Sequence, residues 1–175
     1  TEIIEAQIAE LGIQFFEREF YPVLESTFAT ALAKRRLSLQ RGKHLEGEVI
    51  AVIGGSGSGK TTAVNRLLAP HIRRTPTTAE DARLDVAQIN SPARASGKDV
   101  AIEALDALGY PAAPTRSEGS LRLLLREHLQ MRETLLLNID EAQDLVRFQT
   151  TKEQARVVKF LKSLMDDKVW PIDLL

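Results

Sequence analysis

The octapeptide Gly54-Gly55-Ser56-Gly57-Ser58-Gly59-Lys60-Thr61 constrains this chain more than any other stretch. It meets every fixed position of the pattern G-x-x-x-x-G-K-S/T. Its glycines let the backbone curl and aim several N–H groups at one point. A helix predicted from Lys60 to Ala69, stopped by Pro70, brings the positive end of its dipole to the same place. The ligand that suits such a point is the phosphate chain of a nucleoside triphosphate. Lys60 is then expected to reach the β and γ phosphates and the Thr61 hydroxyl to ligate Mg²⁺, with Thr62 beside it in the first helical turn. A glycine-rich turn that binds nothing would leave the Lys-Thr pair and its setting unexplained.

That setting is a predicted strand followed by a helix, which is what the motif requires. Val49-Ile50-Ala51-Val52-Ile53 is a short apolar run rich in β-branched residues and reads as a buried parallel strand. Leu84–Ile89 reads as a second strand ending at Asn90, and Val100–Leu108 as a helix stopped by Gly109. A helix over Glu118–Met131 presents Leu121, Leu124, Leu125 and Leu129, and leads into the strand Leu135–Ile139. Thr150 and Glu153 form a capping box for a helix expected to bury Ala155, Val158, Leu161 and Met165. Pro171 to Leu175 begins a fourth strand. Strands that alternate with helices imply a three-layer α/β domain with a mostly parallel sheet, because parallel strands need crossover connections.

Ahead of this domain, Ile4, Ile8, Leu11 and Phe15 recur at helical spacing, and Leu24, Phe28 and Leu32 repeat the pattern after Pro22. Residues 1–45 therefore read as an N-terminal helical segment and 46–175 as the core. Lys34, Arg35, Arg36, Arg41 and Lys43 read as a linker or rim. The chain starts at Thr1 without Met and stops where a strand is starting, so it reads as a fragment of a longer protein.

The strand through Ile139 delivers Asp140 and Glu141 at its C-terminal end, the edge of a parallel sheet where ligands collect. Asp140 is expected to hold Mg²⁺ and Glu141 to orient and polarise the water that attacks the γ-phosphate. Taken alone, an acidic pair at a strand end is a helix N-terminal charge; after a phosphate loop it becomes catalytic. Asn138 interrupts an apolar strand and Asn90 ends another, so both can lie near the phosphates. Asn90 is the better candidate to hold Glu141 off its water, with a simple turn residue as the competing reading. Gln143 and Asp144 read as a helix start.

Arg94 and Lys98 follow the second strand, and Lys152, Arg156, Lys159 and Lys162 line the polar side of the helix after the acidic pair. They are either solvated charges or contacts to a nucleic-acid backbone, which needs only a few cations on one surface. Overall charge does not decide, being −1 over 175 residues. The absence of Cys excludes a disulfide framework and a thiolate metal site, and the three His are not spaced as ligands. No apolar run is long enough for a membrane span and no leader is legible, so no membrane partner and a cytoplasmic location are expected.

The loop Gly54–Thr61, the polar-ended second strand and Ile139-Asp140-Glu141-Ala142-Gln143-Asp144-Leu145 together resemble the AAA+ ATPases. Gly54–Thr62, Gln88-Ile89-Asn90-Ser91-Pro92, Ala104–Pro111 and Leu137–Leu145 are similar to transposition regulators of the TniB/TnsC type, related to the Mu B protein. This resemblance covers roughly residues 20–175. It implies ATP-dependent oligomerisation into a ring or helix on double-stranded DNA without sequence preference. It also implies recruitment of a transposase and a target-selection protein, and ATP hydrolysis that disassembles the oligomer. Arg94 and Lys98 then fall near the DNA-facing loop. The strand near Pro171 would carry the sensor-1 residue, while no arginine finger or C-terminal lid can be placed. The alternative is an ATPase of a secretion or signalling assembly, similar to ExeA, that acts without DNA.

Overall fold

The computed structural model describes residues 19–72, 83–92, 95–147 and 149–175. The helix expected around Ile4, Ile8, Leu11 and Phe15 lies outside these residues. The first described helix, α1 (Tyr21–Gln40), carries Pro22 in its first turn, where a missing N–H costs nothing. Then come α2 (Lys60–Leu68), β1 (Val86–Asn90), α3 (Gly97–Ala107), α4 (Glu118–Met131), β2 (Leu136–Asp140), α5 (Thr151–Met165) and β3 (Asp173–Leu174).

The strands pair in parallel in the order β1-β2-β3, with Val86 opposite Leu136, Asn90 opposite Asp140 and Leu136 opposite Asp173. The two-residue period of a strand sends Ala87, Ile89, Leu137 and Ile139 to one face. There they join a core with Val100, Leu105, Leu121, Leu125, Val157 and Phe160 from α3, α4 and α5. On the other face Val86 and Leu136 meet α1 and α2 through Phe28, Leu32, Ala63, Leu67 and Leu68. Helices thus cover both faces of a parallel sheet, the expected three-layer α/β arrangement.

Four local readings need correction. Val49–Ile53 is not a buried strand. The Ile50 N–H donates to Leu174 O (2.8 Å) and the Leu174 N–H to Glu48 O (2.9 Å), so the run starts beside β3 with a single bridge at Val49. Among the described residues no backbone hydrogen bond continues the pairing past Ile50, and Ile53 is 91% exposed. An apolar run becomes a strand only where another backbone lies opposite it, and among the described residues none pairs with it past Ile50.

The basic stretch is also no loose linker in its first half. Lys34, Arg35 and Arg36 belong to α1, and each meets an acid: Lys34 meets Glu48, Arg36 meets Asp85 (2.9 Å) and Arg35 meets Asp173 (2.6 Å). Arg35 and Asp173 are both buried. The Arg35 guanidinium also donates to Leu45 O (2.6 Å) and Glu46 O (2.8 Å), while Asp173 Oδ1 accepts the Glu48 N–H (2.8 Å). One ion pair therefore pins α1, β3 and the segment that leads into the glycine-rich loop.

α3 begins at Gly97, ahead of the expected Val100, because Ser96 and Asp99 form a capping box there. α5 does start at the predicted box of Thr150 and Glu153, but its buried face is rotated. Val157, Phe160 and Leu164 are buried, Leu161 and Met165 are half-buried, and Ala155 and Val158 are exposed. Phe160 sets the rotation by lying against Gly97, where an added Cβ would come within 2.8 Å of the ring.

Candidate nucleotide site

Two glycines of the loop take positive φ, Gly57 at 72° and Gly59 at 85°, values that a side chain would strain. Gly59 is the N-cap of α2 and offers no side-chain acceptor, so the first-turn N–H groups lack a capping bond. Gly54, Gly55, Ser56, Thr61 and Thr62 are exposed. The loop curls round the Lys60 ammonium, which donates to Gly54 O (2.7 Å), Gly55 O (2.8 Å) and Ser58 Oγ (3.3 Å). Uncapped amides and a lysine held at one concave turn are the donor set that a polyphosphate requires.

β2 brings Asp140 to the C-terminal edge of the sheet, level with Asn90. Asp140 Oδ1 accepts the N–H of Glu141 (3.0 Å). Glu141 itself adopts a left-handed conformation (φ 55°, ψ 37°), uncommon for a residue with a side chain, and this takes it out of the strand's alternation. Its carboxylate accepts from the Gln143 amide, and its carbonyl accepts the Asp144 N–H (2.8 Å). Gln143 and Asp144, read as a helix start, lie in a short 3-10 turn, Ala142–Leu145, anchored by buried Leu145.

Strand alternation places Gln88, Asn90, Asn138 and Asp140 on the sheet face that carries Val86 and Leu136, the one that α2 covers. The Gln88 amide donates to Asn65 Oδ1 on α2 (2.9 Å), which ties the phosphate-loop helix to that face. Asn90 is exposed. Asn138, and not Asn90, is the buried one, and its Nδ2 has no hydrogen-bond partner among the described residues. The signal that marked it was present in the sequence, as the polar residue inside an apolar strand.

Among the described residues no group of three or more His, Cys, Asp or Glu could hold a metal. A cation here would rest on few protein oxygens, with Thr61 and Asp140 offering a hydroxyl and a carboxylate. That hard, sparse set suits Mg²⁺, which keeps waters and shares its shell with substrate phosphates. Arg94 lies outside the described residues. Lys98 is half-buried in the first turn of α3, on the opposite face of the sheet from α2.

The parallel sheet between two helical layers, with a glycine-rich anion loop and an acidic strand end on one edge, defines a P-loop nucleoside triphosphatase. A family model described as the AAA domain matches residues 44–174, and the chain belongs to that family of nucleotide-binding ATPases. No curated protein matches it. Among the described residues no helix is long and apolar enough to cross a membrane.

Proposed function

We propose that this chain is an ATP-hydrolysing switch whose output is control of DNA transposition. The observation that carries the enzymatic part is the sharing of one sheet face by Asp140 and α2, the helix that the uncapped glycine-rich loop opens. In this reading the loop amides bind the phosphates, and Lys60 exchanges the carbonyls of Gly54 and Gly55 for the β and γ phosphate oxygens. Thr61 and Asp140 would hold Mg²⁺, which would supply positive charge to the phosphates. Glu141 accepts a hydrogen bond from the attacking water and orients it. Gln143 holds that carboxylate in the structure described, and in this reading Asn90 takes over the role in the loaded state until a partner binds.

The transposition part is supported by the resemblance of Gly54–Thr62, Gln88–Pro92, Ala104–Pro111 and Leu137–Leu145 to regulators of the TniB/TnsC type. It has the chain assemble with ATP on double-stranded DNA in the cytoplasm, recruit a transposase and a target-selection protein, and disassemble on hydrolysis. In this reading residues 1–45 are an N-terminal helical segment ahead of a core of 46–175. The enzymatic assignment is tested with two variants and a fluorescent ATP analogue. Lys60→Ala should abolish binding. Glu141→Gln should keep binding while lowering kcat by about 10²–10⁴-fold, the range of a lost general base. Equal turnover by Glu141→Gln and the parent would overturn the catalytic role of Glu141.

A further inference from the structure

We propose that the outer side of α5, joined by the start of α3, is the surface that grips the phosphate backbone of duplex DNA. The identity of the polyanion as DNA rests on the regulatory reading above; the surface itself rests on charge and packing.

Lys152, Arg156, Lys159 and Lys162 recur at intervals of four, three and three along α5, a spacing that keeps them on one side of the helix. All four are exposed, and none has an ion-pair partner among the described residues. Lys34, Arg35, Arg36, Arg83, Arg126 and Arg147 each have an acid within 4.0 Å, and among the described residues other cations without an ion pair, such as Arg122 and Lys168, do not form a row of four along one helix. A merely solvated helix interleaves acids three or four residues from its bases. The only acid of α5 is Glu153, and its carboxylate is taken by the N–H of Thr150 (2.8 Å) and its hydroxyl (2.7 Å). The rotation of α5 about Phe160 leaves uncharged Ala155 and Val158 outward, so Glu153 is the one acid of the helix set against its four cations. At 1.5 Å per residue it spans about 15 Å, roughly four nucleotide steps of one strand.

A second element joins it. Gly97 is pressed against Phe160, and the Gln149 amide donates to Ala95 O (2.8 Å). These contacts hold the segment that leads from β1 into α3, with Lys98 next to Gly97 in sequence, against α5 and the residues just before it. The Gln154 amide donates to Val146 O (3.0 Å), which fastens α5 to the turn that follows Asp140 and Glu141. The surface is thereby joined mechanically to the nucleotide site.

The test replaces all four cations with Gln, giving Lys152→Gln, Arg156→Gln, Lys159→Gln and Lys162→Gln in the full chain. Each side chain is exposed, so folding and ATP-analogue affinity should match the parent. A fluorescent mixed-sequence duplex is titrated with both proteins, with the ATP analogue present, from about 50 to 200 mM salt. The parent should bind, and the variant should lose about 3–4 from the slope of log affinity against log salt, near 0.9 per phosphate contact. At about 100 mM salt its affinity should fall at least 100-fold. Equal slopes and affinities would overturn the surface and leave the DNA reading standing. A parent that binds no duplex at any salt would overturn both.

Discussion

The two ends of the sheet are built to different standards. At one end β1 and β2 pair residue for residue from Val86–Leu136 to Asn90–Asp140, under the core formed by α3, α4 and α5. At the other, Val49–Ile53 touches β3 through one bridge, and no residue from Ala51 to Thr62 is buried. The acidic strand end is therefore presented by a rigid platform. The phosphate loop is held by the Arg35–Asp173 pair that fixes the segment before it and by the Lys60 ammonium within it. A loop that must wrap a ligand gains from few competing contacts, provided that its two ends are fixed.

If that division is right, the largest stability effect belongs to the pin. Arg35→Met leaves Asp173 buried without its cation and strips Leu45 O and Glu46 O of a donor, which should cost about 3–5 kcal/mol. Urea unfolding measures this loss. Hydrogen exchange at Ile50 and Leu174 should accelerate before that at Ala87 and Leu137. Pairing Arg35→Met with Asp173→Leu should recover only part, because the Glu48 N–H then loses its acceptor as well. A single variant that unfolds with the parent would remove the pin, and with it the contrast between the two ends.

The next effect probes the platform. Gly97→Ala puts a methyl within 2.8 Å of Phe160 Cγ and 2.9 Å of its Cβ. Overpacking of this kind costs about 1–3 kcal/mol, against a gain of about 1 kcal/mol in helix propensity. Net destabilisation by chemical denaturation is expected, with Phe160→Leu in the same chain restoring part of it. A more stable Gly97→Ala would mean that α3 and α5 do not meet so closely, and the α5 surface would lose its link to Lys98.

Most of what was legible in the sequence was local. The phosphate loop, the capping box at Thr150, the helix Glu118–Met131 and the acidic strand end are written in consecutive residues, and the structure has each of these elements at its expected place. What escaped depends on partners far along the chain. Nothing near Arg35 says that its acid is Asp173, 138 residues away. Nothing in α5 alone says that Phe160 rather than Val158 turns inward, because Gly97 decides it. Val49–Ile53 has the composition of a strand, but the described chain lays backbone against only its first residues. Ser96 and Asp99 were readable as a cap, with Asp in place of the more usual Glu or Gln.

The smallest effect tests the platform where it is least satisfied. Asn138 is 3% exposed in the middle of β2, and its Nδ2 has no acceptor although Gln88, its neighbour across the sheet, is bonded to Asn65. A buried donor without a partner costs about 1–3 kcal/mol, whereas an apolar group of similar shape costs nothing of that kind. Asn138→Leu should therefore stabilise the chain by about 1 kcal/mol, raising the thermal midpoint by about 2–4 °C for a domain of this size. The added bulk is minor, and Leu136 and Leu137 show that the strand accepts leucine on either face. A lower midpoint would mean that Nδ2 does have a partner, most simply a water shared with Asp140 two residues on along the same face. The rigid end would then be joined to the nucleotide site through its core as well as through its edge.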